Sequence, residues 1–416
     1  MRLAGLEWKK LMRTPVVWIA AAALAALNVF LFVTMDNIYF APASADGIAH
    51  IQQEKEQGAY FKGAVTEDWI SRYRAEVEAI RENPDNQLKG RDREEKMQQL
   101  LAQGYDRDYI EENLQLEFLK PEVLQSEEYE RYESVEWAGL FYEQAAKCGA
   151  QYAAYYGEQF NGKKEAVLIA SVKEKYRKLA EEYTACYNYA LGYGRMDGIL
   201  LTYKTTLGML ILIGLIGIFS GEYVRKTDAL ILCAKYGREK LGAAKIKAGL
   251  CFAAAAWLGM TALNLGLTTY FYGWEGWEAF WQDWIYVTAP YQWNQGTAMA
   301  FGLGTSLLGA LYWAAVVMLL SALVKRAVPA VFCGLAVLLL PSMVMENVAG
   351  YLIRRICWLF PSVILGGGQI WCSYDGIYAF GKVLDYQLVV LCLAAAFSVV
   401  SGACAVGAFR RHQVRN

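Results

Sequence analysis

Six long apolar runs constrain this chain more than any other feature. A helix needs about 20 apolar residues to cross the roughly 30 Å hydrocarbon core of a bilayer, and several of the runs reach that length. The runs cover residues 16–35, 205–220, 248–272, 297–323, 327–348 and 387–409. Because the hydrophobic residues, 56% of the 416, are concentrated in these blocks, we predict an all-α polytopic membrane protein with six transmembrane helices.

A large polar block separates the first two runs. Residues 36–200 contain 20 Lys/Arg and 31 Asp/Glu, a net charge of −11, so the remaining residues sum to +10. Helical spacing of apolar residues predicts a helical domain, with the last two helices packed as an antiparallel hairpin about a turn at 159–162. The predicted helices cover 66–81, 87–103, 106–119, 121–158 and 163–191. We therefore divide the chain into residues 1–35, 36–200 and 201–416.

The distribution of basic residues predicts the orientation of the chain. Flanks of the runs at one side of the membrane carry 16 Lys/Arg, and the flanks at the other side, outside the polar block, carry four. Positive flanks face the cytoplasm, so we expect both termini inside, in the plasma membrane, and residues 36–200 outside. The Trp-rich segment 273–295 is then expected at the outer membrane interface, and the Gly-rich segment 349–386 as an outer loop.

The first 14 residues predict a short helix on the membrane surface. Four basic residues share one side of a helical projection, and Ala4, Trp8, Leu11 and Met12 share the other, whereas Leu6 and Glu7 fit poorly. Such a helix lies in the plane of the interface. The residues expected at the membrane surface are Trp8, Lys9, Lys10 and Leu11. The alternative is a basic flank that only orients the first span.

The stretch 221–247 is a basic loop between two of the runs. It carries seven Lys/Arg against Glu222, Asp228 and Glu239, which places it in the cytoplasm under the positive-inside rule. Its apolar residues Leu230 and Leu232 suit a short helix that docks in a groove of another protein. The alternative is a loop whose charge only sets the topology.

The residue content argues against a catalytic or metal-binding site in this chain. There are two His, and the nine Cys include no CxxC pair, so a histidine or zinc site is not expected. The stretch 157–164 resembles a phosphate-binding loop, but Lys164 replaces the Ser/Thr that holds Mg²⁺. We expect no catalytic residue, metal site or cofactor here, and no nucleic-acid partner. Small residues at Gly217/Gly221 and Gly304/Gly309 are expected to allow close helix packing.

In three respects the membrane part resembles the permease subunits of type-two ABC exporters. An amphipathic helix leads into the first span (LEWKKLMRTPVVW, 6–18). A glutamate ends the second span and is followed by a short helix and a Gly-Arg element. The matching residues are Glu222, Thr227, Leu230, Leu232, Lys235, Gly237, Arg238, Leu241 and Lys245. The order of six spans, with a large loop after the first and an irregular segment between the fifth and sixth, also agrees.

The resemblance implies a non-enzymatic half-transporter. It would pair with a second permease subunit, itself or a paralogue, and with ATP-binding cassette subunits that bind ATP and Mg. In that family the helix after the second span, here about 223–237, contacts the cassette. The coupling residues would be Glu222, Arg225, Thr227, Leu230, Leu232, Lys235, Gly237, Arg238 and Lys245. The substrate class would be an amphipathic peptide, drug or lipid. The large polar block departs from smaller relatives and leaves two alternatives: a sensor of extracellular ligands without transport, or a structural membrane protein.

Overall fold

A computed structural model describes residues 2–34, 41–124, 126, 129, 135, 138–159, 163–224, 240–282, 288–324, 326–347 and 351–411. Six helices in these parts are long and apolar enough to cross a membrane, and we number them spans one to six. They are Pro15–Thr34, Tyr203–Val224, Gly242–Phe271, Gln295–Leu323, Val328–Met345 and Tyr386–Arg410. Each overlaps one of the predicted runs. The chain is an all-α polytopic membrane protein, as predicted.

Spans two and four form the centre of the bundle, and the other spans lie around them. Of span two 67% is buried and of span four 61%, against 17% of span one. Lipid is as apolar as a leucine side chain, so apolar residues gain little by leaving it, and close packing decides which helices meet. The outermost spans therefore keep apolar side chains such as Ile19 and Phe332 exposed.

Glycine determines how closely two pairs of elements approach. A Cβ at Gly208 of span two would lie 2.5 Å from Leu338 of span five. A Cβ at Gly309 would lie 2.4 Å from the backbone nitrogen of Leu365, so the predicted close packing is confirmed there. For its other three glycines close packing stays a prediction. Among the described residues nothing lies within 4 Å of a Cβ built at Gly217, Gly221 or Gly304.

The helical segment that contains span two begins earlier than the apolar run, and it is broken. One helix covers Leu191–Leu215 and a second covers Gly217–Val224, with a turn at Ile216 between them. The outer part escaped prediction because polar residues interrupt its apolar pattern. One of them, Asp197, is buried and accepts a hydrogen bond from Trp281 Nε1 at 3.0 Å.

Residues 41–189, which we call the insertion, are mainly helical. The helices are Ala45–Phe61, Glu67–Glu82, Gly90–Ala102, Arg107–Asn113, Pro121–Leu124, Phe141–Gln159 and Lys163–Glu181. Side-chain oxygens of Ser44, Thr66 and Asp106 cap three of them, as N-terminal signals predict. The predicted antiparallel hairpin is confirmed: its last two helices pack together, and Tyr152 stacks on Tyr176 at 5.7 Å.

Two helices predicted early in the insertion are shorter than expected. The helix expected over 106–119 ends at Asn113 and continues as a 3₁₀ turn, Gln115–Phe118. The helix expected over 121–158 is interrupted by a bend at Ser126 and by a turn at Leu140, and its last part is the helix Phe141–Gln159. The Ser126 hydroxyl donates to the carbonyl of Val123 and accepts from the amide of Tyr129. Such local bonds from serine compete with the helix.

The last predicted helix of the insertion, 163–191, is also wrong at its end. It stops at Glu181, and the chain then forms a short strand, Cys186–Tyr187. This strand pairs antiparallel with Gly63–Ala64. The partner strand lies more than a hundred residues earlier in the chain, so no local pattern contains it. The turn expected at 159–162 falls largely outside the described residues.

Part of the Trp-rich segment after span three packs inside the protein. Phe280 and Trp281 are buried, and Phe280 bridges to Asn294 across the segment. Trp277, in contrast, is largely exposed. The ring of Trp281 therefore packs against protein, and the position of the segment at the outer membrane interface stays a prediction. Tryptophan density alone does not distinguish a lipid-facing ring from a ring that packs against protein.

The segment between spans five and six is folded. It contains two helices, a 3₁₀ turn and a β-hairpin: Tyr351–Trp358, Pro361–Leu365, Gly367–Trp371, and Gly376–Ala379 paired with Lys382–Asp385. The helix Pro361–Leu365 is buried along its length against span four, where Ser306 donates to the carbonyl of Leu365 at 2.9 Å. The expected Gly-rich loop is thus a compact insert in the bundle.

Candidate functional site

The helix Arg2–Met12, which we call the elbow helix, packs on the start of span three. Leu11 is buried, and Trp8 and Met12 pack against the same core. Lys9 and Leu6 are exposed. The predicted apolar side therefore meets protein to a large extent. We call this end of the bundle the elbow end, and the opposite end, which carries the insertion, the insertion end.

Four charged side chains meet at the elbow end, and we call them the ion cluster. Glu7 and Lys10 come from the elbow helix, Glu222 from the last turns of span two, and Lys245 from the first turns of span three. Their formal charges sum to zero. Segments separated by more than 200 residues thus converge on one polar point in an apolar setting.

Lys245 is the centre of the ion cluster. Its ammonium donates to Glu7 Oε2 at 2.9 Å, to Glu222 Oε1 at 3.0 Å and to the carbonyl oxygen of Ile218 at 2.9 Å. An ammonium has three donors, so every donor is used. The side chain is only 1% exposed, and a buried charge requires this degree of compensation.

Glu222 joins the second half of the ion cluster. Its side chain is 6% exposed and also accepts a hydrogen bond from Lys10, whose side chain is 47% exposed. The ion cluster is therefore shielded from solvent at Lys245 and exposed to solvent at Lys10. Both ends of the loop between spans two and three, Glu222 and Lys245, are held at this point.

The ion cluster opposes the dipoles of its own helices. Glu222 lies near the C-terminus of Gly217–Val224, where a negative charge is unfavourable, and Lys245 lies in the first turns of Gly242–Phe271, where a positive charge is unfavourable. Each charge would cost about 0.3–1 kcal/mol in isolation. Their pairing across helices offsets that cost and specifies which ends meet. The arrangement therefore selects one relative position of elbow helix, span two and span three.

The structure brings together part of the predicted coupling set. Glu222 contacts Lys245 of that set and Lys10 of the predicted elbow helix, and Trp8 and Leu11 support the helix that carries Lys10. Seven predicted coupling residues lie outside the described residues and remain predictions. They are Arg225, Thr227, Leu230, Leu232, Lys235, Gly237 and Arg238.

Sequence reasoning missed Glu7, which fitted neither face of the elbow helix. A signal was present, since Glu7 is the only acidic residue among the first 35. A lone carboxylate in a basic, apolar segment calls for a cationic partner, and Lys245 is that partner. The sequence does not indicate which of many lysines it meets.

A second polar cluster, at the insertion end, fastens the insertion to the segment between spans five and six. Asp375 is buried and accepts from Arg355 Nε at 2.9 Å, from the hydroxyl of Tyr156 at 2.9 Å and from that of Tyr351 at 3.1 Å. The hydroxyl of Tyr156 in turn accepts from the amide of Gly376. Burial, and then the Asp375 carboxylate, raise the pKa of Tyr156, so this hydroxyl stays protonated as a donor.

A second contact lies beside it, on the other helix of the hairpin. Lys175 pairs with Asp385 at 2.6 Å, and its ammonium lies over the rings of Tyr291 and Tyr374. Ser171 is hydrogen-bonded to Tyr374 at 3.0 Å, and burial raises the pKa of Tyr374 to about 12. We call the contacts of Asp375 and Asp385 with the helical hairpin the outer seat. The hairpin and the segment before span six are therefore held together.

Comparison of the chain with protein-family models, with curated proteins and with solved structures found no match. Within the described ranges, no group of three or more His, Cys, Asp or Glu is placed to hold a metal ion. The residues that carry an argument about function are therefore the ion cluster and the outer seat.

Proposed function

We propose that the chain is the membrane-spanning permease subunit of an ATP-driven exporter of the type-two ABC class. One observation carries the proposal: the ion cluster ties the elbow helix to both ends of the loop 223–244. A force on that loop reaches the elbow helix, span two and span three together, because Lys245 of span three bonds to Glu7 of the elbow helix and to Glu222 and Ile218 of span two. A motor outside the membrane needs such a rigid element to act on.

The remaining parts of the proposal follow from the charge pattern. The excess of basic residues in the loops and termini expected at the elbow end supports a location of this end and both termini in the cytoplasm, with the protein in the plasma membrane. Two cassette subunits bind ATP and Mg there and dock on the loop, and a second permease copy or paralogue completes the pathway. The cargo is an amphipathic peptide, drug or lipid that moves outward.

The test is whether a cassette ATPase is encoded beside this chain and forms a complex with it. We expect the purified chain alone to hydrolyse no ATP and the co-expressed pair to purify as a complex that does. The double variant Arg225→Glu, Leu230→Asp removes a cation and an apolar anchor from the loop, so it loses the complex. Lys9→Glu, on the exposed side of the elbow helix, is the charge-reversal control and keeps it. ATP hydrolysis by the chain alone, or a stable complex of the double variant, contradicts the proposal.

A second candidate function is favoured by the outer seat. Since the insertion is bonded to the segment before span six through Asp375 and Asp385, a ligand on the insertion can shift the spans without any transport. This would be a sensor that transmits an extracellular event across the membrane. The full chain in nanodiscs would then bind a peptide ligand while sealed vesicles containing it, with the cassette and ATP, show no flux of that peptide. Flux that depends on ATP favours the exporter.

A further inference from the structure

The break in span two is closed by a side chain of another span. The helix Gly217–Val224 follows the turn at Ile216, and the first four amides of a helix have no acceptor within it. Two of these amides, those of Phe219 and Ser220, donate to Ser321 Oγ of span four at 3.0 and 3.1 Å. Ser321 therefore supplies the cap that the local sequence lacks.

The hydroxyl of Ser321 is completely used by this break. It donates to the carbonyl of Ile216 at 2.6 Å while accepting the two amides. A hydroxyl has one donor and two acceptor sites, so no capacity is left. Ser321 is fully buried, and neither water nor lipid can replace it without a change in packing.

The short helix Gly217–Val224 connects this cap to the ion cluster. Its C-terminal turn carries Glu222, and Ile218 supplies the carbonyl that is bonded to Lys245. A second tether to span four comes from Tyr223, whose hydroxyl donates to the carbonyl of Ala322 at 3.3 Å. On the open side Gly217 has no described neighbour within 4 Å of a Cβ position. The short helix is thus held at defined points and is not packed all round.

We propose that the break at Ile216 is a joint in span two and that Ser321 is the positioning residue that sets its angle. Through this bond, span four determines where the short helix, and with it the ion cluster, lies relative to the rest of the bundle. Movement of the elbow end then reaches span four through the hydroxyl of Ser321 at the break and that of Tyr223 further along the short helix. The role of this joint in export rests on the proposed function, whereas its geometry does not.

The first experiment measures amide hydrogen exchange of the full chain in lipid nanodiscs. In Ser321→Ala the amides of Phe219 and Ser220 lose their acceptor, and we expect them to exchange about tenfold faster, the ratio that corresponds to ~1.4 kcal/mol. Ser321→Thr keeps a hydroxyl and should exchange as the parent does. The control is Ser398→Ala, which removes a hydroxyl bonded only within span six. Unchanged exchange in Ser321→Ala, or equal acceleration in Ser321→Thr, overturns the joint.

A second variant covers the case in which Ser321→Ala does not fold. Ser321→Cys retains the size and a weak hydrogen-bonding group, and it should show intermediate exchange at the same two amides.

The transport measurement uses the complex with its cassette ATPase. If the joint transmits motion, Ser321→Ala hydrolyses ATP at the parent rate but moves at least tenfold less cargo per ATP, and Ser321→Thr restores it. Equal cargo per ATP in Ser321→Ala overturns the role in export. Absence of any cassette partner contradicts the proposed function alone, because the exchange result remains.

Discussion

At the scale of single residues, the ion cluster shows how a charge is kept in an apolar bundle. The ammonium of Lys245 donates to three acceptors, one on the elbow helix and two on the helix Gly217–Val224. A buried ion pair adds little stability compared with well-packed apolar residues, but removal of one partner is expensive. The cluster therefore acts mainly to specify which helices meet.

Loss of the central ammonium should destabilise the protein strongly. Lys245→Met removes the ammonium that both Glu7 and Glu222 contact, so we expect a cost of about 3–5 kcal/mol. Thermal unfolding in detergent measures it. Lys247→Met, an exposed lysine two residues away, is the control and should change little.

A second substitution that makes the ion cluster neutral again should recover part of the stability lost in Lys245→Met. In Glu222→Gln, Lys245→Met, one charge of each sign is removed, and Glu7 and Lys10 remain. The double variant should unfold at a higher temperature than Lys245→Met alone. If the double variant is the less stable of the two, the four charges do not act as one cluster.

Glu54 in the insertion should make the stability of the folded protein depend on pH with the opposite sign to a carboxylate in an ion pair. Burial raises its pKa above the ordinary value, and His50 only partly lowers it. A carboxyl with a higher pKa in the folded state binds its proton more tightly when folded. Its contribution favours folding at low pH and is lost as the pH rises through the folded-state pKa.

Glu54→Gln should therefore stabilise the protein at neutral pH. The difference in unfolding temperature between variant and parent should shrink as the pH falls below the ordinary range of a glutamate. Glu56→Gln, an exposed acid on the same helix, is the matched control and should show no such trend. A destabilised Glu54→Gln at pH 7 would mean that the carboxylate is stabilised by a partner.

At the scale of elements, the outer seat makes the helical hairpin and the segment before span six one mechanical unit. Asp375 bonds to Tyr156 of the hairpin and to Arg355 of the helix after span five. The next helix in the chain, Pro361–Leu365, is buried against span four. Contacts therefore lead from the insertion to the centre of the bundle.

Asp375→Asn should release the hairpin. The variant leaves the guanidinium of Arg355 without a carboxylate, and a broken buried pair costs about 3–5 kcal/mol. We expect faster amide exchange in Phe141–Gln159 and earlier cleavage of the insertion by protease. Glu174→Gln, which removes an exposed charge on the hairpin, is the control. If both variants behave as the parent, the outer seat does not hold the insertion.

At the scale of the whole molecule, the two ends of the bundle differ in composition and in architecture. The elbow end is small and basic, whereas the insertion end carries an acidic domain folded on the loops between spans. Spans two and four pass through the centre and connect the ion cluster with the helix Pro361–Leu365. An event at either end therefore has a route through these two helices.

The predicted orientation can be tested with fusions. Green fluorescent protein after residue 411 should fluoresce in a bacterial host, and alkaline phosphatase inserted at Gly104, in an exposed turn of the insertion, should be active. Both results follow if the basic flanks face the cytoplasm. An inactive phosphatase together with a dark C-terminal fusion would reverse the topology and remove the basis for docking a cassette at the elbow end.

The sequence alone determined the number of spans, their approximate bounds, the elbow helix and the helical hairpin. These features depend on hydropathy and on spacing within 20 or so residues, which a sequence displays directly. Only the tertiary structure decided that Glu7 meets Lys245, that Cys186–Tyr187 pairs with Gly63–Ala64, and that Ser321 caps the break in span two. Such contacts join residues about a hundred or more positions apart, and one sequence contains many equivalent candidates for each. Packing of the bundle selects among them, because a buried polar group is stable only where its partners converge.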